Sequence, residues 1–347
     1  MRKSTPVLVV AGYLGAGKTT LLNHLLRNNN GLRIGVIVND FGAINIDALL
    51  VAGQVDAMLS LSNGCICCEV DTGDISEMLG KLSNVTPRLD VIVVEASGVA
   101  EPGTLARLIA ATEDPDFHYS GLVLVADAVA ARDEDVARHV RVADLVLLNK
   151  TDQVAPERLG EWREIVASCN PAVPVLPTSF CRIDPEMLFD PVTQRRASAL
   201  GEQLSFDELL RECAHEDHAH HHPHYQTIAW TAETPLHPRR FMAFLESRPH
   251  GLYRAKGLVD FGQFGGAYPY VLQLVGRSLR FERNRRDRGA PPTQLVFIGT
   301  DFDEHALKER LAACVVTPAD GPDEYAILSV LRFADHESAP QDETITS

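Results

Sequence analysis

No run of apolar residues in this chain is long enough to cross a bilayer, and none near the N-terminus would serve as the core of a signal peptide. Met1-Arg2-Lys3-Ser4-Thr5-Pro6 leads straight into a first apolar stretch, so the expectation is a cytoplasmic protein that does not use a membrane. Positive charge is short as well: 32 lysines and arginines face 47 aspartates and glutamates, a formal net charge of −15. That balance argues against a broad nucleic-acid footprint and against docking on anionic lipid. An anionic nucleotide must then be held by local geometry. Cysteines number seven, an odd set with no secretory signal, which argues against a disulfide framework and turns attention to metal or thiol chemistry. Aromatics make up only 6% of the 347 residues, yet hydrophobic residues reach 45%, ample for two cores.

The chain is organised around Gly12-Tyr13-Leu14-Gly15-Ala16-Gly17-Lys18-Thr19, a full match to G-x-x-x-x-G-K-[ST] between an apolar run (Val7 to Ala11) and a helical pattern (Thr20 to Arg27). Glycines let such a loop turn tightly and aim successive N–H groups at phosphate oxygens, and the helix that starts there adds its positive end. Gly12, Gly15, Ala16, Gly17, Lys18, Thr19 and Thr20 are the expected phosphate-binding set. Lys18 would reach the β and γ phosphates, and the Thr19 hydroxyl would bind Mg²⁺.

Short apolar runs then alternate with helical stretches as far as Ser179. Strands are expected at Leu32–Asn39, Ala57–Leu61, Val91–Glu95, Gly121–Ala126 and Leu145–Asn149, and helices at Ile75–Leu82, Gly103–Ala111, Asp133–Ala143 and Pro156–Ala167. Such alternation predicts an α/β fold, a P-loop NTPase domain with a mostly parallel sheet and helices on both faces, over residues 1–190. Ligands gather at the carboxyl ends of its strands. Residues 191–224 read as a linker that ends in a histidine-rich tract. A smaller C-terminal α+β domain is expected over 225–333, with strands at Tyr225–Ala232, Leu252–Phe261, Tyr268–Phe281 and Gln294–Gly299. Its helices would be Pro238–Ser247 and Asp303–Ala313, the second after a capping candidate at Asp301. Residues 334–347 are polar and acidic and are expected to be disordered.

Asn149-Lys150-Thr151-Asp152 ends a strand where a base-binding loop belongs. The Asp152 carboxylate can accept from both N1–H and the N2 amino group of guanine but faces the wrong partners on adenine, so GTP is preferred to ATP. Asn149 would tie this loop to the phosphate loop, and Lys150 would lay its stem along the base. Glu95-Ala96-Ser97-Gly98 ends the strongest strand; Glu95 can hold a Mg²⁺-bound water, and the Gly98 N–H can sense the γ phosphate. Asp40, after another strand, can meet Mg²⁺, orient water or bind a second metal. Lys18, Asp40, Glu95 and Gly98 are the candidate catalytic groups.

Gly64-Cys65-Ile66-Cys67-Cys68 places three thiols within four residues, between the Asp40 and Glu95 loops and just before a helical stretch. Thiolates near a helix N-terminus are easily formed and suit Zn²⁺ or a similar metal. Cys65, Cys67 and Cys68 are candidate ligands for a metal that would feel the nucleotide state. Cys169, Cys181, Cys213 and Cys314 are isolated and read as packing. His215 to His224 holds six histidines, suited to collecting Zn²⁺, Ni²⁺, Co²⁺ or Cu²⁺. Arg280, Arg283, Arg285, Arg286 and Arg288 form a basic cluster expected on a solvated loop.

With these motifs in order, the chain resembles the CobW-like GTPases, metallochaperones related to the nickel-insertion GTPases of urease and hydrogenase. The Cys65-Ile66-Cys67-Cys68 stretch is similar to that family's C-x-C-C metal motif, and Tyr253–Gly257 and Gln294–Gly299 to its C-terminal domain. The resemblance implies slow GTP hydrolysis with Mg²⁺ and delivery of Zn²⁺ or Co²⁺ to a client metalloprotein or metal-cofactor enzyme. A homodimer stays open. Where many members carry glutamate this chain has Asp40, whose shorter side chain weakens the case for a direct metal contact. The alternatives are a P-loop kinase for a small metabolite and a histidine-rich metal store.

Overall fold

The computed structural model describes residues 4–39, 57–61, 72–96, 101–189, 225–284 and 293–334, apart from positions 113, 115, 131, 132, 267 and 324. Seven strands build the first sheet: β1 Thr5–Ala11, β2 Ile34–Asn39, β3 Ala57–Leu61, β4 Val91–Glu95, β5 Phe117–Asp127, β6 Leu145–Asn149 and β7 Val175–Pro177. They lie in the order β3-β2-β4-β1-β5-β6-β7, and every pairing is parallel. β5 begins four residues before its apolar run does, because Phe117 to Tyr119 extend the ladder with β1. The short edge strand β7 carries too little apolar sequence to announce itself.

Parallel strands covered on both faces read as continuous apolar runs, and Val91 to Glu95 are all buried. Successive side chains still face opposite ways. Val7, Val9 and Ala11 join one core, with helices α2 (Thr72–Ser83), α3 (Pro102–Ala110), α4 (Asp133–Val140) and α5 (Pro156–Cys169). Leu8 and Val10 join the other, with Leu21, Leu22, Leu25 and Leu26 of α1 (Lys18–Arg27). The faces are unequal. Tyr253, Val275 and Ile298, from the C-terminal part of the chain, complete the core beside α1.

That C-terminal part is an antiparallel sheet of β8 Gln226–Ala232, β9 Leu252–Val259, β10 Tyr270–Val275, β11 Ser278–Arg283 and β12 Thr293–Gly299, in the order β11-β10-β9-β12-β8. Helices α6 (Pro238–Glu246), α7 (Glu304–Ala312) and α8 (Leu328–Leu331) accompany it, and Phe241, Phe244, Leu307 and Val330 pack with Phe281, Leu295 and Phe297 of the strands. Two expectations need correction. The stretch from Tyr268 to Phe281 is not one strand but a hairpin, because Gly276 at φ 53° turns the chain back on itself. The cap of α7 is Asp303 rather than Asp301: the Asp303 carboxylate accepts from the N–H groups of His305 and Ala306 at 2.8 and 3.1 Å. Asp301 sits outside the helix at φ 54°.

The tip of that hairpin docks on the first sheet through Asp144, at the entry to β6. Asp144 is 4% exposed. Its carboxylate accepts from the Arg277 N–H at 2.9 Å, the Leu122 N–H at 2.9 Å and the Tyr119 hydroxyl at 2.8 Å. Burial pushes its pKa up, against the pull of those three donors. Because the shift is upward, the buried charge opposes folding as pH rises above the ordinary carboxylate value, and donors only limit the loss. Gly276 fits here for two reasons, its left-handed backbone and the 2.2 Å that would separate an added Cβ from the Asp144 Cβ.

Gly276→Ala should therefore destabilise the protein by about 2–4 kcal/mol in urea unfolding. Gly160→Ala, in the exposed interior of α5 with open space around it, should stabilise by about 0.5–1 kcal/mol. Equal effects of the two substitutions would contradict the docking of the hairpin tip.

Candidate functional site

The loop between β1 and α1 is shaped by three glycines with positive φ: Gly12 at 151°, Gly15 at 78° and Gly17 at 114°. Neighbours as well as dihedrals demand them. A Cβ on Gly12 would lie 2.3 Å from the Val125 carbonyl oxygen of β5, and one on Gly17 would lie 2.5 Å from Asn149 Nδ2. Ala16 closes the turn through its N–H to the Tyr13 carbonyl at 3.2 Å, and the Leu21 N–H reaches the Gly17 carbonyl at 2.9 Å. Lys18 is 8% exposed, and its ammonium donates to the carbonyls of Gly12 at 3.0 Å and Tyr13 at 3.3 Å. Thr19 is half-buried and Thr20 exposed in the first turn of α1.

Asn149 is the link to the second motif. At 3% exposure it donates through Nδ2 to the Ala16 carbonyl at 2.9 Å, while its Oδ1 accepts from the Cys181 N–H at 3.0 Å. Loops after β1, β6 and β7 are thereby fastened to one side chain. Lys150 follows in a left-handed conformation, φ 63°, and its ammonium meets Asp127 Oδ2 at 2.5 Å. Burial opposes the Asp127 charge, but Lys150 and the N–H groups of Val129 and Ala130 hold its carboxyl below the usual range. Asp152 is exposed in the short helical turn Thr151–Gln153, which the Thr151 N–H and hydroxyl tie to the Thr178 carbonyl at 3.2 and 3.1 Å.

Glu95 is 3% exposed at the carboxyl end of β4. Its register places it level with Val10 of β1 and Val38 of β2, and Val38 is level with Ser60 of β3. One row thus crosses four strands. The expectations for Asp40, for Cys65, Cys67 and Cys68, for Gly98 and for the histidine tract all fall outside the described residues. Among the described residues, no group of histidine, cysteine and acidic side chains could hold a metal ion.

Two groups at the site lie outside the residues its sequence motifs mark. Asp127 ends β5, and an acid at a strand end is the signal that would have found it. Cys181, read as packing, does pack: it is fully buried with Sγ 3.4 Å from the Gly17 carbonyl. Burial pushes its thiol up to about 12, against the nearby Lys150 charge, so it is no nucleophile at neutral pH. Phe180 and Cys181 are consecutive positive-φ residues, at 56° and 52°, a strained loop of the kind found beside ligands. The arginine cluster is also corrected in part. Arg280 and Arg283 are not on a loop but in β11, where Arg283 is exposed and Arg280 Nη1 donates to Ser4 Oγ at 2.7 Å; Arg285, Arg286 and Arg288 fall outside the described residues.

Residues 6–177 match the family model for the CobW/HypB/UreG nucleotide-binding domain, and residues 225–315 match that for the cobalamin synthesis protein cobW C-terminal domain. A zinc chaperone CobW from Sinorhizobium sp. is 30% identical over 355 residues, covering 89% of this chain and 97% of that protein. A zinc-regulated GTPase metalloprotein activator 1 from Schizosaccharomyces pombe is 34% identical, with 52% of this chain and 47% of that protein aligned. The zinc chaperone YjiA of Escherichia coli K12 is 34% identical, over 53% of this chain and 60% of its own length. No helix among the described residues is long and apolar enough to cross a membrane.

Gly17→Ala should abolish nucleotide binding, with affinity for a fluorescent GDP analogue falling about 100-fold or more, because the methyl group would displace Asn149 and the loop together. An affinity within about threefold of the parent would mean that Asn149 does not organise the site.

Proposed function

We propose a function from the premise that this chain belongs to the CobW/HypB/UreG family, with both the nucleotide-binding and the C-terminal domain. It hydrolyses GTP to GDP and phosphate, and it uses that cycle to hold Zn²⁺ and pass it to a client metalloprotein or metal-cofactor enzyme. The observation that carries this reading is the register row across Val10, Glu95, Val38 and Ser60. Three strand spacings separate its ends, about 14 Å. Within five residues of that row the chain reaches Gly12, Gly98, Asp40 and Cys65 in turn. The segments that carry the phosphate loop, the switch residues and the thiols in sequence therefore follow strand ends that share one row.

The residues present fit a magnesium nucleotide. The cradle at Gly12 and Gly17 has no room for a Cβ, and Thr19 and Glu95 supply the oxygen donors that Mg²⁺ prefers. Mg²⁺ would neutralise charge between the β and γ phosphates. Lys18 would turn its ammonium from the loop carbonyls toward the same oxygens. The guanine edge would meet Asp152, with Lys150 kept in place by Asp127. Glu95 would hold water near the γ phosphate, and Asp40 and Gly98 would respond to its loss. Cys65, Cys67 and Cys68 would bind zinc as thiolates, tightly in one nucleotide state and loosely in the other.

A coupling of about 1–3 kcal/mol is enough for such a switch, which is about 5- to 150-fold in affinity. Zn²⁺ affinity measured with GDP and with a non-hydrolysable GTP analogue should differ by a factor in that range, and replacing all three cysteines by serine should remove the difference. Equal affinities in the two nucleotide states would sink the proposal. Asp152→Asn tests the base assignment separately. It should weaken GTP by about 10- to 100-fold, since two hydrogen bonds to a charged acceptor are lost, and should strengthen the xanthine nucleotide, whose C2 carbonyl can accept from the new amide. Retained GTP preference would place base recognition elsewhere.

A further inference from the structure

The inner face of the C-terminal sheet is divided by chemistry. Its register aligns Ile298, Arg254, Val275 and Ser278 in one row across β12, β9, β10 and β11, and Val296, Lys256, Gln273 and Arg280 in the next. Ile298 and Val275 belong to the core shared with α1, and Val296 packs against it. Arg254 and Ser278 of the first row and Lys256, Gln273 and Arg280 of the second line a cavity, which Val275 also borders. It has a volume of about 40 Å³ and is closed on the opposite side by Ser4 ahead of β1 and by His118, Tyr119 and Ser120 of β5.

Three cationic side chains, an imidazole and three hydroxyl-bearing serines therefore converge between the two sheets: Arg254, Lys256, Arg280 and His118, with Ser4, Ser120 and Ser278. No carboxylate side chain lines the cavity among the described residues. In a chain of net charge −15 such a gathering is selective, and a concave wall concentrates its field. The donors are also held in place. Arg254 is 6% exposed and donates from Nη1 to the Glu186 carbonyl at 3.3 Å. Arg280 Nη1 donates to Ser4 Oγ at 2.7 Å, and Ser4 Oγ lies 2.9 Å from His118 Nδ1. Arg280 also approaches Glu282 at 3.6 Å, outside the cavity. Each of these side chains thus has partners within the protein, and a ligand would add to those contacts or exchange with them.

We propose that this interdomain cavity is a binding site for a small divalent oxyanion of the phosphate class, distinct from the phosphate loop. Guanidinium forks and an ammonium match tetrahedral oxygens, and serine hydroxyls complete their coordination. The volume holds about three water-sized positions, which suits a bare oxyanion and leaves little room for a phosphorylated metabolite. Bound there, the anion contacts residues of both sheets and so strengthens their docking. Nothing in this depends on GTP hydrolysis or on zinc.

The test is calorimetric titration of inorganic phosphate into the full-length protein saturated with GDP, alongside its thermal midpoint. Saturable binding is expected, weakened by salt, displaced by sulfate, and accompanied by a rising midpoint. Lys256→Gln combined with Arg280→Gln should lower the affinity by tenfold or more while GDP affinity stays unchanged. Arg280→Lys keeps the charge and should retain binding within a few-fold, which guards against a folding defect in the double variant. Lys18→Ala should leave phosphate binding intact. Absence of saturable binding, equal affinity in the double variant, or loss of binding in Lys18→Ala would each overturn the proposal. Glycerol phosphate binding as tightly as phosphate would overturn its restriction to a bare oxyanion.

Discussion

Asn149 does two jobs with one amide, donating to the Ala16 carbonyl and accepting from the Cys181 N–H. β1 and β6 are not neighbours, since β5 lies between them, so a side chain is needed to join their loops. Its placement dictates what surrounds it. Gly17 can carry no side chain because Asn149 Nδ2 occupies the space. Cys181 must be small, buried and unreactive to sit against the same glycine. Lys150, next in sequence, is turned into a left-handed conformation that brings its ammonium to Asp127 on the intervening strand. A buried amide with both ends satisfied is rigid, and it holds the glycine turn after β1 in one shape.

The same two strands serve the second domain from their opposite ends. β5 and β6 finish at Asp127 and Asn149 beside the nucleotide loops, and they begin near Tyr119 and Asp144, where the β10–β11 hairpin docks. Apolar contact through Tyr253, Val275 and Ile298 supplies the adhesion. Register supplies the orientation. Around Arg254 the pairing of β9 with β12 shifts between Ile298 and Gly299, and this irregularity turns Tyr253 toward the first domain while Leu252 and Ala255 stay in their own core.

Much of this was legible in order of residues. The glycines and lysine of the phosphate loop, the Asn149 to Asp152 motif and the parallel alternation of strands and helices are local patterns, each carried by contiguous residues whose backbone needs are particular to their types. Where reading failed, the missing information was long-range. A single apolar run from Tyr268 to Phe281 hides a hairpin because Gly276 and Arg277 are only two residues and their turn is stabilised by Asp144, which lies more than a hundred positions away. Asp301 and Asp303 are equally good caps by type, and only the path of the preceding backbone selects the second. Arg280 looked like one of five surface arginines until strand pairing set it opposite Ser4.

By itself the sequence determined the fold class, the tight glycine turn after β1 and the family, because those depend on backbone conformations that glycine, asparagine and aspartate specify over a few residues. Tertiary structure alone decided which strand ends share a row, which side of the first sheet the second domain covers, and which cations gather on one face at the interface. Those are consequences of strand order and of a two-residue side-chain period. A chain can state both patterns locally, but only packing brings their faces together.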